Sequence, residues 1–107
     1  MQNSIEPLSF LSGTETLSSK RDGWTLDDID GVTADRHFKT RVRFARPFRH
    51  APVVHLGITG LDISNDDAAR LSTSVANITS TGFDIVLGTW LNTRIWRVDV
   101  SWFALGT

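Results

Sequence analysis

Ile95-Trp96-Arg97-Val98-Asp99-Val100-Ser101-Trp102-Phe103-Ala104-Leu105 is the stretch that decides the fold. Trp96, Val98, Val100, Trp102 and Ala104 fall on one side of an extended chain, with Arg97, Asp99 and Ser101 on the other. Alternation of this kind reads as a half-buried β-strand. Ile95 and Phe103 interrupt the polar side. Two tryptophans on one face need cover, since burying a large apolar side chain is worth roughly 1.5–3 kcal/mol. A facing sheet supplies it, so the expected fold is a sandwich.

Working outward, the same period of two recurs, broken by turn residues. Residues 83–90 form the preceding strand, and Leu91-Asn92-Thr93 turns the chain. Residues 71–79 precede a tight reversal at Thr81-Gly82. Residues 53–61 are nearly continuously apolar, which predicts a central strand or one buried on both faces. In residues 38–46, Phe38, Thr40, Val42 and Phe44 alternate with Lys39, Arg41 and Arg43. Residues 10–17 form the first strand. Residues 18–36 make the longest loop, with Gly23-Trp24 and Asp30-Gly31 as turn signals. The expectation is all-β: a six-stranded antiparallel sandwich in a single domain over 1–107, with 1–9 a flexible lead.

The 107 residues fit one domain, and the 40% hydrophobic and 21% charged content is that of a folded globular chain. A net charge of −1 argues against a dedicated nucleic-acid binder. The absence of cysteine removes disulfides, thiolate metal sites and cysteine nucleophiles together. No apolar run approaches the length of a membrane span. Met1 to Pro7 lacks the basic and apolar segments of a secretory signal, so a cytosolic chain or one exported by another route is expected.

Seven short elements carry a family resemblance: Phe44-x-x-Pro47-Phe48, Pro52-Val53-Val54, Ile58-Thr59-x-Leu61-Asp62, Arg70-Leu71, Thr81-Gly82-Phe83, Thr89-Trp90-x-Asn92-Thr93 and Val100-Ser101-Trp102. Each is common alone. In this order and spacing, they resemble the H-type lectin domain of the snail agglutinins and discoidins. The resemblance implies a trimer that binds terminal galactose or N-acetylgalactosamine at the boundaries between protomers. It assigns hydrogen bonds with sugar hydroxyls to Arg70, and apolar contact to Trp90 and Trp96. Leu91 stands where a histidine contact occurs in the family. A glycine and a carboxylate of the first loop complete such sites; here they are Gly31 with Asp30 or Asp35. No cofactor is implied.

The chemistry suits a pyranose. A guanidinium fork bridges adjacent hydroxyls, a carboxylate accepts from them, and an aromatic ring covers the C–H face. Each residue also has a plainer reading. Trp90 plugs the sandwich end, Trp96 packs in the core beside Val98, Arg70 pairs with Asp66 or Asp67, and Asn92 shapes its own turn. Lys39, Arg41, Arg43, Arg46 and Arg49 form a basic stripe, read as a solvated face or as an anion-binding surface. His37, His50 and His55 lack ligand spacing, and Asp62-x-x-Asn65-Asp66-Asp67 lacks the glycine and glutamate of a calcium loop. Asn77-Ile78-Thr79 reads as ordinary strand rather than a glycosylation site. No serine–histidine–acid set or carboxylate pair stands out, so a non-enzymatic, multivalent lectin of the cell-adhesion type is expected. The alternative is a trimeric structural module that has lost the sugar.

Overall fold

The computed structural model describes residues 7–29, 35–64 and 68–107. Six strands run in order: β1 (Ser9–Ser18), β2 (Arg36–Arg43), β3 (Val53–Ser64), β4 (Ser72–Thr79), β5 (Gly82–Thr89) and β6 (Arg94–Gly106). They form two three-stranded antiparallel sheets, ordered β1-β6-β3 and β2-β5-β4. The core lies between them.

The central strands carry most of that core. In β5, Phe83, Ile85 and Leu87 are fully buried, and in β6 so are Ile95, Val98, Val100 and Ala104. Phe83 meets the Trp102 ring edge-on at 5.2 Å between centroids, and Phe44 lies 5.8 Å from both rings. Space for Trp102 comes from Gly13 on β1, where a Cβ would sit 2.8 Å from the indole. The long first loop also enters the core. Leu26 is fully buried, and Trp24 packs its ring 4.9 Å from Phe38 while its indole N–H donates to the Ile95 carbonyl at 2.8 Å.

Two expectations are corrected. Strand β3 is an edge strand, and the apolar run 53–61 is not buried on both faces. Val53 is 72% exposed, and Ile58 and Leu61 are also exposed. Its run is apolar because Val53, Ile58 and Leu61 stand exposed on an edge strand, not because the strand is central. Trp96 does not share a face with Val98 and Trp102. The pairing of β3 with β6 slips between Asp62↔Arg97 and Ile63↔Ile95, so Trp96 is an extra residue. Such a bulge reverses the alternation across it. Ile95 takes the buried position and Trp96 turns out.

The register defines two ends of the sandwich. The loop end gathers Ser18, Ser64 and Arg94 of one sheet with Arg36, Ser72 and Thr89 of the other. The far end gathers Ser9, Gly106 and Val53 with Arg43 and Gly82. The loop end is where most of the predicted site residues lie.

Candidate functional site

The loop end is built by backbone clamps. Thr89 and Thr93 are fully buried polar residues flanking the 90–92 turn. The Thr89 hydroxyl donates to the Arg70 carbonyl at 2.6 Å, and the Thr93 hydroxyl accepts from the Arg70 N–H at 3.2 Å. Thr93 also donates to the Ala68 carbonyl at 3.3 Å. Buried hydroxyls need such partners, and here those partners fix residues 68–70 against the turn. The two threonines of Thr89-Trp90-x-Asn92-Thr93 are thus the structural part of that element.

Arg70 is half-buried. Its Nη1 donates to the Ala68 carbonyl at 3.0 Å and to Asn92 Oδ1 at 3.1 Å. Asn92 therefore orients the arginine rather than merely capping its own turn. Beside them Trp90 is 38% exposed and Leu91 43% exposed. Leu91 has φ 57°, a left-handed conformation that costs a side-chain-bearing residue about 1–2 kcal/mol. That conformation turns its carbonyl toward Arg36, whose Nη2 donates to it at 2.6 Å.

Arg36 went unnoticed in the sequence. It is only 7% exposed, and its Nη1 donates to the carbonyls of Leu26 and Asp28 at 3.2 and 3.0 Å. One guanidinium thus ties the first loop to the 90–92 turn. The signal was present, since Arg36 has the same strand parity as Phe38, Val42 and Phe44, all inward. Arg94 adds a second tie, its Nε donating to the Asp27 carbonyl at 2.9 Å.

Arg70, Trp90, Leu91 and Asn92 therefore come together at one end. Asp35 is exposed on the same end, directly before Arg36. Asp30 and Gly31 lie outside the described residues, as do Asp66 and Asp67, the proposed ion-pair partners of Arg70. Trp96 sits on the outer face of the β1-β6-β3 sheet, in a separate depression with Thr16, Ser18, Lys20, Asp62 and Arg97. The Arg94 guanidinium lies 5.3 Å above its ring. The set can donate to vicinal hydroxyls through Arg70 and offer apolar surface through Trp90 and Leu91. Among the described residues no histidines or carboxylates group to hold a metal.

One further polar cluster lies on the outer face of the other sheet. Asp84 of β5 is buried, accepting from Asn77 Nδ2 at 2.7 Å and from Arg41 Nη1 at 3.2 Å. Arg41 also donates to the Asn77 carbonyl at 2.7 Å, so it is a strut rather than a free member of the basic stripe. Asn77 occupies a β4 irregularity at φ 50°. The Asn77 hydrogen bond, reinforced by Arg41, holds the Asp84 carboxyl below its ordinary 3.8. A carboxyl depressed by folding stabilises above its unfolded value, and that contribution fades as pH falls through the folded value. Asp84→Asn should therefore be less stable than the parent at neutral pH. The gap should narrow on acidification below about pH 4, as read by urea unfolding at a series of pH values.

The architecture defines an all-β, discoidin-like lectin fold. Discoidin II from Dictyostelium discoideum superposes with a TM-score of 0.82 at 22% identity, over 99% of this chain and 39% of that one. A second discoidin II structure gives 0.81 at 23% identity, over 98% and 39%. Residues 39–105 match the H-type lectin domain, and the chain belongs to that family. A relative from Fuscovulum blasticum, named for open reading frame 7 of an ATP synthase subunits region, is 38% identical over 72 residues. The match spans 67% of this chain and 63% of the relative.

Proposed function

We propose that this domain is a lectin for glycans ending in galactose or N-acetylgalactosamine, acting as a homotrimer with sites at the protomer boundaries. The observation that carries the reading is Arg70. Its guanidinium is oriented by Asn92 at an exposed end beside Trp90, in a chain of the H-type lectin family. Arg70 supplies donors to the sugar, while Trp90 and Leu91 cover its C–H face. Trp96, Gly31 and a loop carboxylate, Asp30 or Asp35, complete the site across the boundary. With Leu91 in place of a polar contact, each site binds weakly, and multivalency raises avidity by on the order of 10²–10⁴.

A glycan array with free galactose and N-acetylgalactosamine as competitors tests this. Competed binding to terminal galactose-type sugars is expected. Arg70→Ala should reduce it at least tenfold, since hydrogen bonds from a charged donor are worth about 1.5–3 kcal/mol. Silence from a folded parent protein would overturn the sugar reading.

The outer face of the β1-β6-β3 sheet favours association. Phe10, Phe103 and His55 stack across its three strands at 5.7 and 5.2 Å, beside a shallow hollow floored by Thr14, Ser101 and Gly57. A Cβ at Gly57 meets nothing closer than the Ser101 hydroxyl at 3.8 Å. Gly57→Gln should therefore leave the protomer folded while blocking the hollow. Sedimentation equilibrium is expected to show a trimer for the parent and a monomer for the variant.

A second reading keeps the assembly without the sugar. It is favoured by Arg70 Nη1, which Ala68 and Asn92 already engage. The same array separates the two.

A further inference from the structure

Among the described residues, the loop end mixes acids and bases, whereas the far end carries arginines and no acid. Asp22, Asp27, Asp28 and Asp35 fall in or beside the first loop, at the loop end, together with Lys20, Arg21 and Arg36. From residue 41 to residue 60 there are four arginines and no acid. Of these, Arg41 bonds Asp84 on the outer face of its sheet, and Arg43, Arg46 and Arg49 are solvent-exposed toward the far end.

The segment that presents them is rigid. Phe44 and Phe48 are buried with their rings 5.1 Å apart, edge to face. The backbone N–H groups of Phe44, Phe48 and Arg49 donate to the carbonyls of Thr81, Ser80 and Thr107, each at 2.9 Å. Arg46 and Arg49 therefore project from a backbone that is already fixed, which leaves only their side chains to order on binding.

The same end carries the most exposed large apolar side chains among the described residues: Val53 at 72%, Leu8 at 69% and Phe10 at 58%. Phe10, Leu105 and Val53 form one cross-strand row at the sheet's end. Arg46 and Arg49 border a depression shared with Pro7, Ser9 and Thr107, so the cationic and apolar groups adjoin.

We propose that the far end is a docking surface for an anionic lipid bilayer. Leu8 and Val53 enter the headgroup–acyl boundary, while Arg43, Arg46 and Arg49 meet the lipid phosphates. A soluble polyanion has no use for the apolar row; a bilayer uses both halves. Each cation near an anionic surface contributes roughly a fivefold gain in binding, so one protomer binds modestly. Protomers assembled side by side through the Gly57 hollow would present their far ends together. The candidate sugar site lies at the opposite end of β6, about 40 Å away at the usual strand rise, facing solvent. The inference does not depend on sugar binding.

The test is flotation of the full chain with phosphatidylcholine vesicles, with and without phosphatidylglycerol. Binding is expected only with phosphatidylglycerol, weakening as salt rises. Arg46→Glu, a change of two charges, should lower it about 25-fold, and Leu8→Ser combined with Val53→Thr should lower it about tenfold. Arg70→Ala should leave it unchanged. All these positions are exposed or half-buried, and circular dichroism verifies that each variant is folded. Failure of the parent to float with phosphatidylglycerol vesicles overturns the proposal. So does binding that heparin displaces fully and that the Leu8/Val53 variant leaves intact, which would mark a site for soluble polyanions.

Discussion

Gly82→Ala is expected to cost about 4 kcal/mol or more, an exceptional penalty for adding one methyl group. A Cβ at residue 82 would lie 2.2 Å from the Val42 carbonyl oxygen and 3.3 Å from Arg43 Cα. Both obstacles are backbone, so no side chain can swing aside. Residue 82 opens β5 opposite Arg43, directly after the reversal from β4. Relief requires parting β2 from β5 at the last pair of their ladder, next to fully buried Phe83. Gly23 is the control. It has φ 83° but nothing within 4 Å of an added Cβ, so Gly23→Ala should lose only about 1–2 kcal/mol of conformational energy. Urea unfolding of the two variants should rank them in that order. Equal losses would mean that the strands yield easily.

Arg36→Met should cost about 3–5 kcal/mol, a large part of the 5–15 kcal/mol typical of a folded domain. Methionine fills much of the volume but removes the donors serving the Leu26, Asp28 and Leu91 carbonyls. The Leu26 carbonyl keeps the Ile95 N–H as a donor. The Leu91 carbonyl, aimed at Arg36 by a strained backbone, loses the Arg36 Nη2 donor outright. Arg36→Lys should recover only part of the loss, because a single ammonium cannot reproduce the planar fork. Unfolding midpoints measure the first effect. A weaker sugar response at temperatures where the variant is still folded would measure the second, the loosening of the turn that carries Trp90 and Asn92.

The strands were legible because their alternation is local. Phe38, Thr40 and Val42 announce β2 without reference to anything distant, and Thr81-Gly82 announces the reversal from β4 to β5. Pairing was not legible, since the order β1-β6-β3 joins residues up to ninety-seven positions apart, Ser9 with Gly106. Strand β3 misled because apolar residues on both sides look alike whether they meet a core or form an exposed sheet face. Trp96 misled for a different reason. One extra residue reverses parity, and nothing in Ile95-Trp96-Arg97 says where the count slips.

At the candidate site, Arg70 and Trp90 were found through family resemblance, and both lie at an exposed end. The residues that hold them there were harder to read. Thr89 and Thr93 look like ordinary β-sequence, and Asn92 like a turn former, until their partners on residues 68–70 are known. Arg36 was the accessible omission, because a cation at an inward position of an alternating strand must find acceptors inside. The first-loop members Asp30 and Gly31 lie outside the described residues.

The placement of β6 in the middle of its sheet has a consequence for how the chain comes off the ribosome. β1 and β3 both pair with β6 and not with each other, and β6 comes after both in the chain. Neither can begin its ladder until residues 94–106 have emerged. At a synthesis rate of about 5–20 residues per second, β1 waits several seconds with Leu11 and Leu17 uncovered. The β2-β5-β4 sheet closes earlier, once Thr89 is out, and stands as a template with its inner face bare. Folding of this domain therefore completes only after its sixth strand emerges, with the earlier strands exposed to chaperones and proteases while the rest of the domain is made.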